Sequence, residues 1–175
     1  MSRTVGVSVE SAVTVDQVFS AFADERYWLA RLATFGRGRS LDGLVVDADG
    51  VVRVSAVQDL AHELLPSVIA KLYPGDLMVV RAETWQRIGD DRLGGKITVA
   101  TDGAPASGDG TVLLSPSRDG VRLDFVGTVE VTVPVVGGRI ERRLVSQIEE
   151  GIREIERFTS MWIAKQNLRS REAQG

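Results

Sequence analysis

One stripe of apolar residues near the C-terminus constrains this chain more than any motif in it. Alternating residues run into Pro134 and Gly137-Gly138, and a long amphipathic pattern then continues to about Asn167. Stepping about 100° per residue, Ile140, Leu144, Ile148, Gly151, Ile155, Phe158 and Trp162 fall on one line, widened by Val145, Ile152 and Ile163. Arg142, Arg143, Glu149, Glu150, Arg153, Arg157 and Ser160 occupy the opposite side. A helix so divided must lay one long side against an apolar surface, and the upstream residues supply a sheet for it.

Val5, Val7 and Val9 alternate with Gly6, Ser8 and Glu10, the period of a half-buried strand. Thr14 and Gln17 then form a capping box, with Val13 and Val18 as its hydrophobic staple, so a helix is predicted to start there. A second short helix should follow Asp24-Glu25 and carry Tyr27, Trp28 and Leu32. Strands are predicted at Leu44 to Asp47, Val51 to Gln58, Leu77 to Ile88, Arg92 to Thr101, Gly110 to Ser115 and Gly120 to Val133. Asp49-Gly50, Gly89-Asp90-Asp91 and Ser117-Arg118-Asp119-Gly120 between them are turns of successive antiparallel hairpins. Leu60 to Leu72 has helical spacing broken by Pro66, and Gly103 to Gly110 reads as a mobile hairpin loop.

The 175 residues suit one domain that buries roughly 70% of its unfolded surface. That domain is expected over residues 1–168, with a flexible tail over 169–175. A net charge of −3 predicts no general affinity for nucleic acid or anionic membranes, which need a sustained positive field. The absence of cysteine removes disulfides, thiolate nucleophiles and sulfur-rich metal sites, and it suits a reducing cytoplasm. No apolar run reaches the roughly 20 residues needed to span a bilayer, and Met1 to Thr4 has no leader pattern. An unprocessed cytoplasmic protein without integral membrane association is the expectation.

The order strand, two helices, six antiparallel strands and long helix resembles the START-like superfamily, also called helix-grip or SRPBCC. The resemblance is carried by Val13-Thr14-Val15-Asp16-Gln17-Val18-Phe19, by Pro134-Val135-Val136-Gly137-Gly138-Arg139-Ile140-Glu141, and by Phe158-Thr159-Ser160-Met161-Trp162. It is similar in particular to an uncharacterised bacterial branch known only as a domain of unknown function. The resemblance implies an α+β fold in which a curved sheet of about seven antiparallel strands wraps the last helix around a largely apolar cavity. It implies binding of lipids, sterols, polyketides or plant hormones, with cyclase chemistry or protein partners in some members.

Two readings of Gly151 stand side by side: space left for a ligand, or close packing of helix on sheet. In either, Gly costs about 0.5–1 kcal/mol of helix stability relative to Ala. Val121, Leu123, Phe125, Gly127, Val129 and Val131 share one strand face. Val80, Ala82 and Thr84 are expected to join that interior with Val52, Val54, Ala56, Ile97, Val99 and Thr101, if Arg81, Glu83 and Arg87 point to solvent. Trp85 then falls on the outer face, across strands or at an interface. The candidate ligand site is Val54, Thr84, Phe125, Gly127, Ile148, Gly151 and Ile155, with His62 and Tyr73 at its entrance.

His62 is the sole histidine, so neither a two-histidine-one-carboxylate iron centre nor a His-rich zinc site can be built. It is either a general base or a hydrogen-bond donor to a ligand, or a residue that caps or decorates an exposed turn. Tyr73 is either a phenol at the cavity rim or a plain amphipathic aromatic. Gly36-Arg37-Gly38-Arg39 is an anion-holding loop or a solvated one; it lacks the Lys-Ser/Thr ending of a phosphate loop. No catalytic residue, metal or cofactor is assigned, since the inner faces so drawn offer chemistry only Thr84, Thr101 and Gln147. The reading is an intracellular binding protein for a small, mostly hydrophobic, lipid- or polyketide-like molecule. The alternatives are a polyketide cyclase/dehydrase-like enzyme and a protein-interaction module acting through Trp85 or the sheet edge.

Overall fold

The alternation of Val5 and Val7 with Thr4, Gly6 and Ser8 becomes buried against exposed in β1 (Ser2–Ser11) of a computed structural model that describes residues 2–36, 38–60 and 67–175. The capping box forms as expected at the head of α1 (Val15–Phe22). The Gln17 amide donates to Thr14 Oγ1 at 3.2 Å, and the Thr14 amide donates to Gln17 Oε1 at 3.0 Å. Asp24 caps α2 (Glu25–Phe35) by accepting from the Arg26 amide at 2.9 Å. Then follow β2 (Arg39–Val46), β3 (Val52–Leu60), α3 (Ser67–Leu72), β4 (Leu77–Ile88), β5 (Arg92–Asp102), β6 (Ala106–Ser117), β7 (Gly120–Val131) and α4 (Gly137–Glu172).

The seven strands form one antiparallel sheet in the order β1-β7-β6-β5-β4-β3-β2, so β1 and β2 are its edges. This α+β sheet against a long C-terminal helix is the helix-grip arrangement. The stretch expected as a loop from Gly103 to Gly110 is partly strand. Residues from Ala106 onward pair with β7 in an unbroken register, since the long, regular β7 ladder outweighs the cost of Gly108 and Gly110 in the strand. Helix α4 has 36 residues and runs past Asn167 to Glu172.

Val5, Val7, Phe22, Tyr27, Val52, Leu93, Val112 and Phe125 are among the buried side chains that fill the space between sheet and helices. Val145, Ile148, Ile152, Phe158 and Trp162 of α4 pack on them, so the helical stripe lies where its periodicity placed it. Near the start of α4, Ile140, Leu144 and Ile148 pack with Tyr73 on Val129, Val131 and Val133. Among the described residues no helix is long and apolar enough to cross a membrane.

Candidate functional site

Helix α2 sets the chemistry of the seam. Tyr27, Trp28 and Arg31, three and four residues apart, share its buried side, so a guanidinium is carried inward with two aromatic rings. Arg31 Cζ lies 4.8 Å from the Trp28 ring centroid. Across the seam it meets Glu83 of β4, whose side chain is 3% exposed. Arg31 Nη2 donates to Glu83 Oε1 at 3.0 Å and Arg81 Nε donates to the same oxygen at 2.7 Å. Trp85 Nε1 donates to Oε2 at 3.0 Å.

Burial works against the Glu83 charge, but Arg31 and Arg81 outweigh it and hold the carboxyl down at about 2 from an ordinary 4.5. Burial likewise opposes the charge on Arg31, and Glu83 and Tyr27 together more than offset it, leaving Arg31 above its ordinary value. Tyr27 Oη lies 2.7 Å from Thr159 Oγ1, which itself donates to the Ile155 carbonyl at 2.8 Å, so Tyr27 is the donor. Burial pushes the Tyr27 phenol up.

Two cavities border this cluster, and both are lined by Arg31, Arg81, Glu83 and Ile155. The smaller, about 40 Å³, reaches toward Phe22, Trp85 and Leu114. The larger, about 110 Å³, reaches toward Trp28, Phe35, Arg39, Val54 and Val99. Sheet and helix therefore do not close on each other completely. Among the described residues no three His, Asp or Glu side chains gather as a metal site needs.

The expected face assignment of β4 is overturned. Glu83 pairs with Val54 on one side and Ile97 on the other, and Arg81 pairs with Ala56 and Val99, so Arg81, Glu83 and Trp85 share the inner face with those residues. Thr84 pairs with Arg53 and Lys96, both exposed, and lies on the opposite face from the seam. Trp85 is 3% exposed and its ring centroid is 4.5 Å from that of Phe22. Its indole covers Gly95, the partner residue on β5, where a Cβ would collide with the ring. That glycine was the available signal for an inward tryptophan. Gln147 is exposed.

Val54 and Ile155 are the expected site residues that the structure brings together at the larger cavity. Phe125 and Gly127 are inner-face neighbours on β7, but the Phe125 ring occupies the space that the glycine leaves: a Cβ on Gly127 would sit 2.6 Å from Phe125 Cζ. Ile148 packs in the core, and Gly151 on α4 faces open space, with nothing within 4 Å of a Cβ built there. Close packing is therefore not why residue 151 is glycine. Tyr73 packs on the valine cluster near the start of α4 and lines neither cavity. His62 and Arg37 lie outside the described residues. The sequence pattern assigns Arg81 and Glu83 to solvent and does not single out Arg31, because charged residues on a strand or helix point outward by default. The spacing of Arg31 from Tyr27 and Trp28 was the clue to the contrary.

The sequence model of the family described as "Protein of unknown function (DUF2505)" matches residues 6–163. The uncharacterized protein Rv0481c of Mycobacterium tuberculosis is 32% identical over 170 residues, covering 93% of this chain and 98% of the relative. The uncharacterized protein Mb0491c of Mycobacterium bovis matches with the same identity and coverage. Among solved structures, TTHA0849 from Thermus thermophilus superposes with a TM-score of 0.58 at 17% identity, covering 93% of this chain and 98% of the other. Norcoclaurine synthase from Thalictrum flavum, in complex with dopamine and hydroxybenzaldehyde, superposes with a TM-score of 0.52 at 11% identity, over 94% and 88% of the two chains. At such identities the structural matches establish a shared fold and no shared activity.

Proposed function

This chain belongs to the DUF2505 family, within the START-like helix-grip superfamily, and from that premise we propose that it binds a small, mostly apolar molecule between its sheet and α4. One observation carries the reading: a cavity of about 110 Å³ enclosed by α2, the sheet and Ile155 of α4, walled chiefly by Trp28, Leu32, Phe35, Val54, Val79 and Ile155. The volume limits the occupant. A dry engineered cavity of about 150 Å³ holds benzene, whereas drug-sized ligands occupy about 300–1,000 Å³. A benzene-sized body or a short chain suits the space as it stands; a whole sterol or polyketide does not.

An enzyme of the cyclase type would need a group able to take or give a proton in the cavity. Glu83 is there, but all three of its hydrogen-bond partners are donors and its low pKa makes it a weak base, so binding rather than catalysis is favoured. Native mass spectrometry of the chain purified from its own host tests the reading. The expected result is a copurifying small mass, absent from an Ile155→Trp variant whose indole fills the cavity. A bare protein that also fails to bind any of a panel of small apolar probes would overturn it.

A further inference from the structure

The larger cavity is apolar along its walls and strongly cationic at one side. Arg31, Arg39 and Arg81 line it, and among its described lining residues Glu83 is the sole acid. That one carboxylate is already engaged, with two guanidinium groups on Oε1 and the Trp85 indole on Oε2. Arg39 reaches the cavity from the start of β2 and gives its Nε to a neutral acceptor, Gln58 Oε1, at 2.8 Å. Arg39 meets no carboxylate within ion-pair distance among the described residues. Partial burial, and then the charges of Arg81 and Arg31, push the Arg39 guanidinium below its ordinary value. Among the described lining residues three cations face one anion, Arg31 buried, Arg81 half-buried and Arg39 exposed at the rim, and an incoming anion would neutralise their field.

We infer that the ligand is a carboxylic acid with an apolar body, its carboxylate held by Arg39 and Arg81 and its body against Trp28, Phe35, Val54 and Ile155. This deepens the small-molecule reading and rests on it. The planar fork of a guanidinium matches a carboxylate in two parallel hydrogen bonds, and such charge-assisted bonds are about twice as strong as neutral ones. Arg81 gives its Nε to Glu83 and has terminal N–H donors beyond that bond, and it lines the cavity. Glu83 in this arrangement is a positioning residue: it anchors Arg31 and Arg81 so that the cavity is charged before the ligand arrives. A larger phosphorylated head is disfavoured by the volume of about 110 Å³, most of which the apolar walls claim.

The test is calorimetric titration of the full chain with straight-chain carboxylates from butyrate to decanoate, each beside its own primary amide, and with inorganic phosphate. At the best chain length the acid is expected to bind about tenfold or more tightly than the amide, as a charge-assisted pair requires. Arg39→Gln and Arg81→Gln should each shrink that preference to about threefold or less while leaving the folded circular dichroism spectrum intact. Arg39 stands at the rim and keeps the test valid should Arg81→Gln unfold. Equal binding of acid and amide overturns the inference yet leaves the apolar site standing. Phosphate binding as tightly as the best acid overturns it too, since the apolar body would then contribute nothing. Binding by neither acid nor amide also overturns it, and native mass spectrometry then decides separately whether the cavity is a site at all.

Discussion

Glu83 is a carboxylate taken out of water, and its three donors offset a desolvation cost of several kcal/mol. Glu83→Gln removes the counter-charge and leaves Arg31, only 7% exposed, as an uncompensated buried cation. The expected loss is about 3–5 kcal/mol in urea unfolding, the usual consequence of breaking a buried pair. A loss under about 1 kcal/mol would show that water reaches Arg31 and that the cluster is open to solvent. Nothing in the run from Val79 to Arg87 reveals this arrangement on its own. Val80, Ala82 and Thr84 alternate with Arg81, Glu83 and Trp85, and an apolar-in reading of the strand chooses the wrong set.

Glycines in different elements serve opposite ends. On β7, Gly127 stands opposite Gly110 of β6, and the Phe125 ring lies over both. A Cβ at residue 127 would be 2.9 Å from the Asp109 carbonyl oxygen, which is backbone and cannot move aside. Gly127→Ala is therefore expected to destabilise by about 1–3 kcal/mol, as overpacking does. On α4, Gly151 has no neighbour for a Cβ to meet, so Gly151→Ala should stabilise by about 0.5–1 kcal/mol through helix propensity alone. Urea midpoints of the two variants should move in opposite directions, and a shared direction would refute this account of the two sites. The capping box of α1 and the stripe of α4 were legible in the sequence because each depends on residues within a few positions of one another. The space at Gly127 was not, since its occupant is a ring whose direction the strand pairing decides.

For the molecule as a whole, the charge cluster should appear in the pH dependence of stability. A carboxyl held at about 2 when folded and near 4.5 when unfolded contributes stability that is complete above the higher value and lost as pH falls through the lower. Asp24, held low by its hydrogen bond to Arg26, and Asp124, held low by Ser8, act in the same direction. Unfolding midpoints followed from about pH 6 to about pH 2 should fall more steeply for the parent chain than for Glu83→Gln, whose missing carboxyl has nothing to lose. Parallel curves would mean that Glu83 titrates alike in both states. The sequence by itself determined the elements, their order and the long helix with one side for a sheet, because periodicity, caps and turns are written over short stretches of chain. Only the tertiary structure decided which side of β4 looks inward. That strand is two-faced either way, and its charged side turns in because pairing sets Glu83 between Val54 and Ile97 while Arg31 arrives from α2 to meet it. An ion pair between residues 52 positions apart can make a buried carboxylate tolerable, and no local pattern records that it will form.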